Sequence, residues 1–191
     1  MTPATQRVAL VAGLLAAAAA IAWLLFAGLP RWYGGPTARS AVASAPLPPG
    51  RKIKARLFYI AEDGTKLATV ERDVAYGEGT VEQAREIINA QIAPAVEPVV
   101  SAVPPGTRLR ALFVTAQGEA YVDLSGDVSR AHPGGTLNEL LTIYTLVDAL
   151  TVNLPAVSSV QILIDGKEVD TLAGHVDLRR PLMKNLDVVE P

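Results

Sequence analysis

Asp123 and Asp127 flank Ser125-Gly126, and two carboxylates so close in sequence are what general acid–base chemistry would use. Aspartate and serine at a strand end more often shape a turn, and that is the default reading here. The two histidines, His132 and His175, lie 43 residues apart, each in a glycine-containing loop. No His-x-x-x-His or Glu-x-x-His spacing accompanies either, so a metal centre lacks ligands. His175 beside Asp177 has the composition of half an acid–base pair, but no placed serine nucleophile and no G-x-S-x-G stands with it. Gly134-Gly135 precedes a helix start, where an anion can bind. Neither G-x-x-x-x-G-K-[ST] nor G-x-G-x-x-G is present, and Glu139 already brings negative charge to that first turn. The chain has no cysteine. That excludes disulfides, thiolate metal sites, a cysteine nucleophile and a lipid-modified N-terminal cysteine. The residues therefore predict no catalytic group, no cofactor and no metal.

The elements that would position these groups are easier to read. The stretch around which the rest is organised runs from Thr136 to Val169. Thr136 with Glu139 has the spacing of a capping box at a helix start. Behind it Asn138, Thr142, Thr145 and Asp148 recur every three or four residues and form one narrow polar stripe. Leu137, Leu140, Leu141, Ile143, Tyr144, Leu146, Val147 and Leu150 fill the rest, an apolar face wider than a surface helix needs. The helix must lie against a sheet, and Leu154-Pro155 stops it. Val160, Ile162 and Ile164 then alternate as a strand, ending in Asp165-Gly166, a type I′ hairpin signal. Leu141 and Ile162 are expected to be buried where this helix meets this strand.

Upstream, Ile53–Ala61 reads as a strand that returns through Glu62-Asp63-Gly64 to Leu67–Val74. Thr80 with Gln83 marks a second capping box, opening an amphipathic helix through Val81, Ala84, Ile87, Ile88 and Ile92 that ends before Pro94. Leu109–Thr115, a Gln117-Gly118 turn and Ala120–Leu124 form another hairpin, and Ser125–Gly135 a polar loop. Val169–Leu172 reads as a short last strand, and the chain beyond Leu178 as irregular. The order ββ-α-ββ-α-ββ predicts a two-layer α+β fold with a mixed or antiparallel sheet and both helices on one face. The portion Thr80 to Ile164 has the order of RNA-binding KH folds, but it lacks their G-x-x-G loop with basic neighbours.

The N-terminal part is different in kind. Val8 to Leu29 holds 22 residues without a charge, roughly 33 Å of helix against a hydrocarbon core of about 30 Å. The predicted organisation is a tail at 1–7, one transmembrane helix at 8–29 and a Pro/Gly-rich tether at 30–50. A domain at 51–182 and a tail at 183–191 complete it. The apolar run is too long for a signal peptide, and Trp32 and Tyr33 suit a membrane interface. Arg7 before the span and Arg31 and Arg39 after it leave orientation undecided by charge. The tether reaches roughly 60 Å as polyproline II or about 25 Å as a coil. Three of the 17 Lys and Arg precede Arg51, whereas all 19 Asp and Glu follow it. The domain is thus net acidic by five, which disfavours nucleic acid as a partner.

Several segments resemble one known family. They are Val103-Pro104-Pro105-Gly106-Thr107-Arg108-Leu109, Ala120-Tyr121-Val122-Asp123-Leu124-Ser125, Ile143-Tyr144-Thr145-Leu146, Val160 through Lys167, and Asp177-Leu178 with Arg180-Pro181-Leu182. In order and spacing, from about Ile53 to Leu182, they look like the GerMN domain, the module of GerM-type sporulation and spore-germination proteins. Tyr144, Asp165, Gly166 and Asp123 are the motif positions. The resemblance implies a non-enzymatic domain outside the cytoplasmic membrane with an αββαβ, ring-building-like core, which in sporulating bacteria helps assemble an envelope-spanning complex. This chain departs from the germination protein in having one copy, not two in tandem, and a helical span in place of a lipid anchor.

The expected function is a membrane-anchored, single-pass protein whose extracytoplasmic domain binds an envelope protein, peptidoglycan or a second copy. The seven-residue N-terminal tail and the resemblance place the domain outside. The exposed stripe Asn138, Thr142, Thr145 and Asp148 is a candidate interaction surface, and sheet edges are the other. Two alternatives are a wall hydrolase, which needs a deep polar cleft near Asp123, Asp127 and His175, and a small-ligand sensor with a pocket between helix and sheet.

Overall fold

A computed structural model describes Trp23 and residues 50–191. Apart from Trp23 and Gly50, the predicted span at 8–29 and the tether at 30–50 lie outside the described residues; among those described, no helix is long and apolar enough to cross a membrane. The described residues from Gly50 onward belong to one compact unit.

Two strands open the unit, β1 (Lys52–Ile60) and β2 (Leu67–Ala75), paired antiparallel in continuous register. The turn between them is held by Asp63, whose carboxylate accepts from the Thr65 amide at 2.8 Å and the Thr65 hydroxyl at 2.6 Å. Helix α1 (Gly79–Ile92) buries Ala84, Ile87 and Ile88, the apolar side of its period, and stops at Ala93 ahead of Pro94. Its predicted capping box does not form. The helix begins before Thr80, and Gln83 folds back to bond the Gly77 amide and the Ala75 carbonyl.

Strands β3 (Leu109–Val114) and β4 (Glu119–Leu124) make the second hairpin, with a bulge between Leu109 and Ala111. A short helix, α2 (Asp127–Arg130), occupies the predicted polar loop. Helix α3 (Thr136–Asn153) then crosses to β5 (Ser159–Ile164), which lies parallel to β4. Asp165 (φ 52°) and Gly166 (φ 78°) turn the chain into β6 (Lys167–Glu168), as the Asp-Gly pair predicts. The last strand expected at Val169–Leu172 does not form, and the pairing of β6 with β5 stops at Glu168. Residues from Val169 onward leave the ladder, because the amides of Leu172, Ala173 and His175 bond Glu139 instead. The stretch expected to be a tail also has structure: β7 (Leu182–Met183) pairs with β5, a 3-10 turn spans Leu186–Val188, and Val189 bridges to Leu67.

The fold is α+β, as expected, with α1-β3-β4-α3-β5 as its αββαβ centre. The prediction of a single sheet needs correction. β3-β4-β5-β6, with β7 on β5, form one mixed sheet, while β1-β2 is separate. Helices α1 and α3 contact both. The reason lies in α3: its apolar residues exceed what one sheet face covers, so a second element closes over it. Leu141 (1% exposed) and Ile162 (2%) sit in the common core with Leu112, Val122, Leu146 and Leu150.

Candidate functional site

Three of the four motif residues converge beyond the C-terminal ends of the parallel pair β4 and β5. Asp123, nearly buried at the end of β4, accepts the Gly166 amide at 2.7 Å through Oδ1. Its Oδ2 faces Arg110 Nη1 at 3.4 Å. Asp165 accepts the Gly126 amide at 3.1 Å and lies 3.6 Å from the same guanidinium. A neighbouring cluster continues the network. The Ser125 hydroxyl donates to Asp127 at 3.0 Å and accepts the Arg108 amide at 3.1 Å. Arg130 donates to Asp127 at 2.9 Å and stands 3.9 Å from Asp165. Bonds from Arg130, and then from Ser125, hold the Asp127 carboxyl below the usual range.

Arg108, Arg110 and Arg130 thus balance Asp123, Asp127 and Asp165. A paired-carboxylate site needs one carboxyl kept protonated by its surroundings, whereas here each carboxylate is matched with a guanidinium. The network ties the β5–β6 turn to the start of α2. Gly126 leaves room for it, since a Cβ there would push aside the ends of the Arg130 and Asp165 side chains. Tyr144 takes no part in it; it is half-buried on α3, packed against the core.

The histidines are engaged elsewhere. His132 Nδ1 accepts the Gly134 amide at 2.9 Å, and Nε2 faces the Thr142 hydroxyl at 3.2 Å. Because that hydroxyl donates to the Ala102 carbonyl at 2.6 Å, the consistent form is the neutral tautomer protonated on Nε2. His175 does not pair with Asp177, which binds Arg179 instead. It pairs with Glu139, Nδ1 to Oε2 at 3.1 Å.

Glu139 is fully buried and is not half of a capping box; the residue ahead of the helix is Gly135. Its carboxylate accepts the amides of Leu172 (2.8 Å), Ala173 (2.9 Å) and His175 (2.9 Å). Burial acts to raise its pKa, but the bonds from the 172–176 backbone outweigh burial and hold it below the ordinary value. A charge gains more from three fixed amides than from one end of a cap.

The predicted interaction stripe on α3 is corrected by the structure. Asn138 is exposed, but Thr142 (1%), Thr145 (0%) and Asp148 (0%) are buried. Asn138 donates to the nearby Gly134 carbonyl at 2.9 Å, whereas two of the buried groups reach distant segments: Thr142 bonds Ala102, and Asp148 accepts the Asn185 amide at 3.0 Å. Among the described residues Thr145 Oγ1 and Asp148 Oδ2 have no partner. Burial pushes the Asp148 carboxyl up to about 6, against the opposing pull of the Asn185 amide and Lys184.

Two cavities bear on the alternatives. One of about 890 Å³ lies between β1-β2 and the C-terminal segment, lined by Arg56, Phe58, Lys66, Asp187 and Glu190 among others. The second, about 210 Å³, opens beside Pro104, Pro133, Leu141 and Thr142, below the roughly 300 Å³ at which ligand pockets begin. Neither is lined by Asp123, Asp127 or His175. Among the described residues no group of three acidic or histidine side chains is placed to hold a metal.

Sequence reading missed the two carboxamides that organise β1. Asn153 bonds both the amide and the carbonyl of Arg56, and Gln91 does the same for Phe58. The available signal was Gln91 itself, a polar residue within an apolar helix run.

Comparison with known proteins gives a consistent picture. The Germane family profile, described as sporulation and spore germination, matches residues 56–170. A Clostridium perfringens protein described as a lipoprotein is 21% identical, with a TM-score of 0.50 over 70% of this chain and 88% of its own. The tandem GerMN domains of the Bacillus subtilis sporulation protein GerM are 14% identical, with a TM-score of 0.55 over 72% of this chain and 48% of that one. The first of those domains alone is covered over 99% of its length, at a TM-score of 0.50 and 14% identity. No curated protein matches in sequence.

Proposed function

The chain belongs to the Germane family, and from that premise we propose that residues 51–182 are a non-enzymatic binding module. In this reading the module is held outside the cytoplasmic membrane by the apolar segment at 8–29, as one part of an envelope assembly. The observation that carries the reading is the state of the polar groups. Asp123, Asp127 and Asp165 face arginines, Glu139 is held by three amides, and His132 and His175 have ring nitrogens engaged within the fold. Side chains occupied in this way hold loops together; they are not poised to attack or to transfer a proton.

What remains for function is a surface on a short leash. A tether of about 25 Å confines the module to a small volume next to the membrane, so its effective concentration toward another membrane-held partner approaches millimolar. Weak contacts then suffice. The topology has a direct test: protease added to intact spheroplasts should remove the module and leave a small membrane-embedded fragment. Full protection would place the module on the other side and end the envelope reading.

A further inference from the structure

The β1-β2 hairpin has two edges, and the fold treats them differently. Along β1 the outward groups from Arg56 to Ile60 have partners. Asn153 bonds the Arg56 amide (2.8 Å) and carbonyl (2.7 Å), Gln91 bonds those of Phe58 (2.9 and 2.7 Å), and the Ile60 amide bonds Val100 (2.8 Å). Each carboxamide stands where the peptide unit of a neighbouring strand would be.

The same bonds fix what faces out of β2. In an antiparallel ladder, a residue that turns its amide and carbonyl away from its partner strand lies opposite one that does likewise. Arg56 and Phe58 pair with Glu71 and Thr69, so these two, and Asp73 by the same alternation, point their backbone groups out of the β2 edge. Among the described residues no backbone or side-chain group bonds them there. The edge is closed only at its ends, where Glu190 donates to the Leu67 carbonyl (2.8 Å) and Gln83 to that of Ala75 (3.0 Å). Between those ends lies an open run with the repeat a strand needs for pairing.

Charge says what fits it. On the exposed face of the hairpin, Lys54 stands opposite Asp73, with an ion pair of 2.7 Å, and Arg56 stands opposite Glu71. The β1 side of this row is basic and the β2 side acidic, so a third strand beside β2 continues the alternation with basic residues. A second copy does not supply them. Antiparallel β2 pairing centred on Glu71 sets one Glu71 against the other, and on β1 the outward backbone groups of Arg56 and Phe58 are already taken by Asn153 and Gln91.

We propose that the β2 edge over Thr69–Asp73 receives an extended, basic segment of a different protein, which adds as a third strand with Lys or Arg opposite Glu71 and Asp73. The proposal rests on the binding-module reading and specifies its surface and the chemistry of its partner. The same carboxylates guard the edge against segments that lack the matching charge.

The test uses full-length protein in lipid nanodiscs and fluorescent peptides. A peptide alternating Lys with Val should bind about tenfold more tightly than one alternating Glu with Val, as expected for two favourable against two unfavourable cross-strand pairs. N-methylation of the Lys-Val peptide backbone should abolish binding. The double substitution Glu71→Lys with Asp73→Lys should reverse the preference. Glu71→Pro should remove binding with little change in the melting curve, because the amide it deletes is not used by β1. Equal binding of the two peptides, or binding indifferent to N-methylation, overturns the edge assignment. If that happens while the anchored protein still crosslinks to a partner in membranes, the binding-module reading stands without this edge. Hydrolysis of wall fragments would remove the reading itself.

Discussion

Replacing Glu139 with Ala is expected to destabilise the domain by about 3–5 kcal/mol, out of a total that for domains of this size is about 5–15 kcal/mol. The carboxylate is fully buried, and three backbone amides and one imidazole converge on it. Hydrogen bonds to a charged group are each worth about 1.5–3 kcal/mol, and opening of the 172–176 loop to water recovers part of the loss. Glu139→Gln keeps one acceptor oxygen and should lose roughly half as much. Limited proteolysis should cut the variant's 172–176 loop before the rest unfolds. A denaturation midpoint unchanged at neutral pH would show that the loop is held by something else.

Asp148→Asn should act in the opposite direction and stabilise the domain by about 1–3 kcal/mol at pH 8. The carboxylate is buried with a single amide partner and an unpartnered Oδ2, and its pKa rises from 3.8 to about 6. Above pH 6 the folded protein carries a buried charge that the unfolded chain keeps in water. As pH falls from about 6 toward 3.8 the folded state takes up a proton that the unfolded state does not, so stability rises over that window. Glu139 has the other sign. Its pKa is lowered from 4.5, so its contribution is complete above 4.5 and is lost as pH falls through its folded value. The wild-type melting temperature should therefore rise on mild acidification from pH 8 and fall again below about 4.5. Asp148→Asn should flatten the first limb and leave the second; a rise from pH 8 to 5 that persists in the variant would assign the titration to another group.

These two residues also show what was legible in the sequence. Strands, turns and helices followed local rules, and Asp165-Gly166 turns as its chemistry requires. Polar residues on α3 were harder, because their partners lie far away in sequence. Glu139 has a good local reading as a cap, and the loop at 172–176 outcompetes it. Thr142 and Asp148 looked solvent-facing because they are polar, yet their partners are Ala102 and Asn185, 40 and 37 residues distant. The better indicator was the breadth of the apolar face, since a helix apolar on nearly every side is enclosed and its polar residues are enclosed with it. The same limit hid the arginines around Asp123 and Asp165, and the carboxamides that close β1. Each depends on two segments meeting, and no periodicity within one segment reports that.

The central claim is that an anchored surface, and no cleft, does the work. The most direct measurement is crosslinking of the full-length protein in native membranes beside the same protein cut at an engineered protease site in the tether. The account predicts crosslinks to a partner in the anchored sample and their loss on release, because release removes the effective concentration that weak contacts rely on. Equal crosslinking before and after release would contradict it.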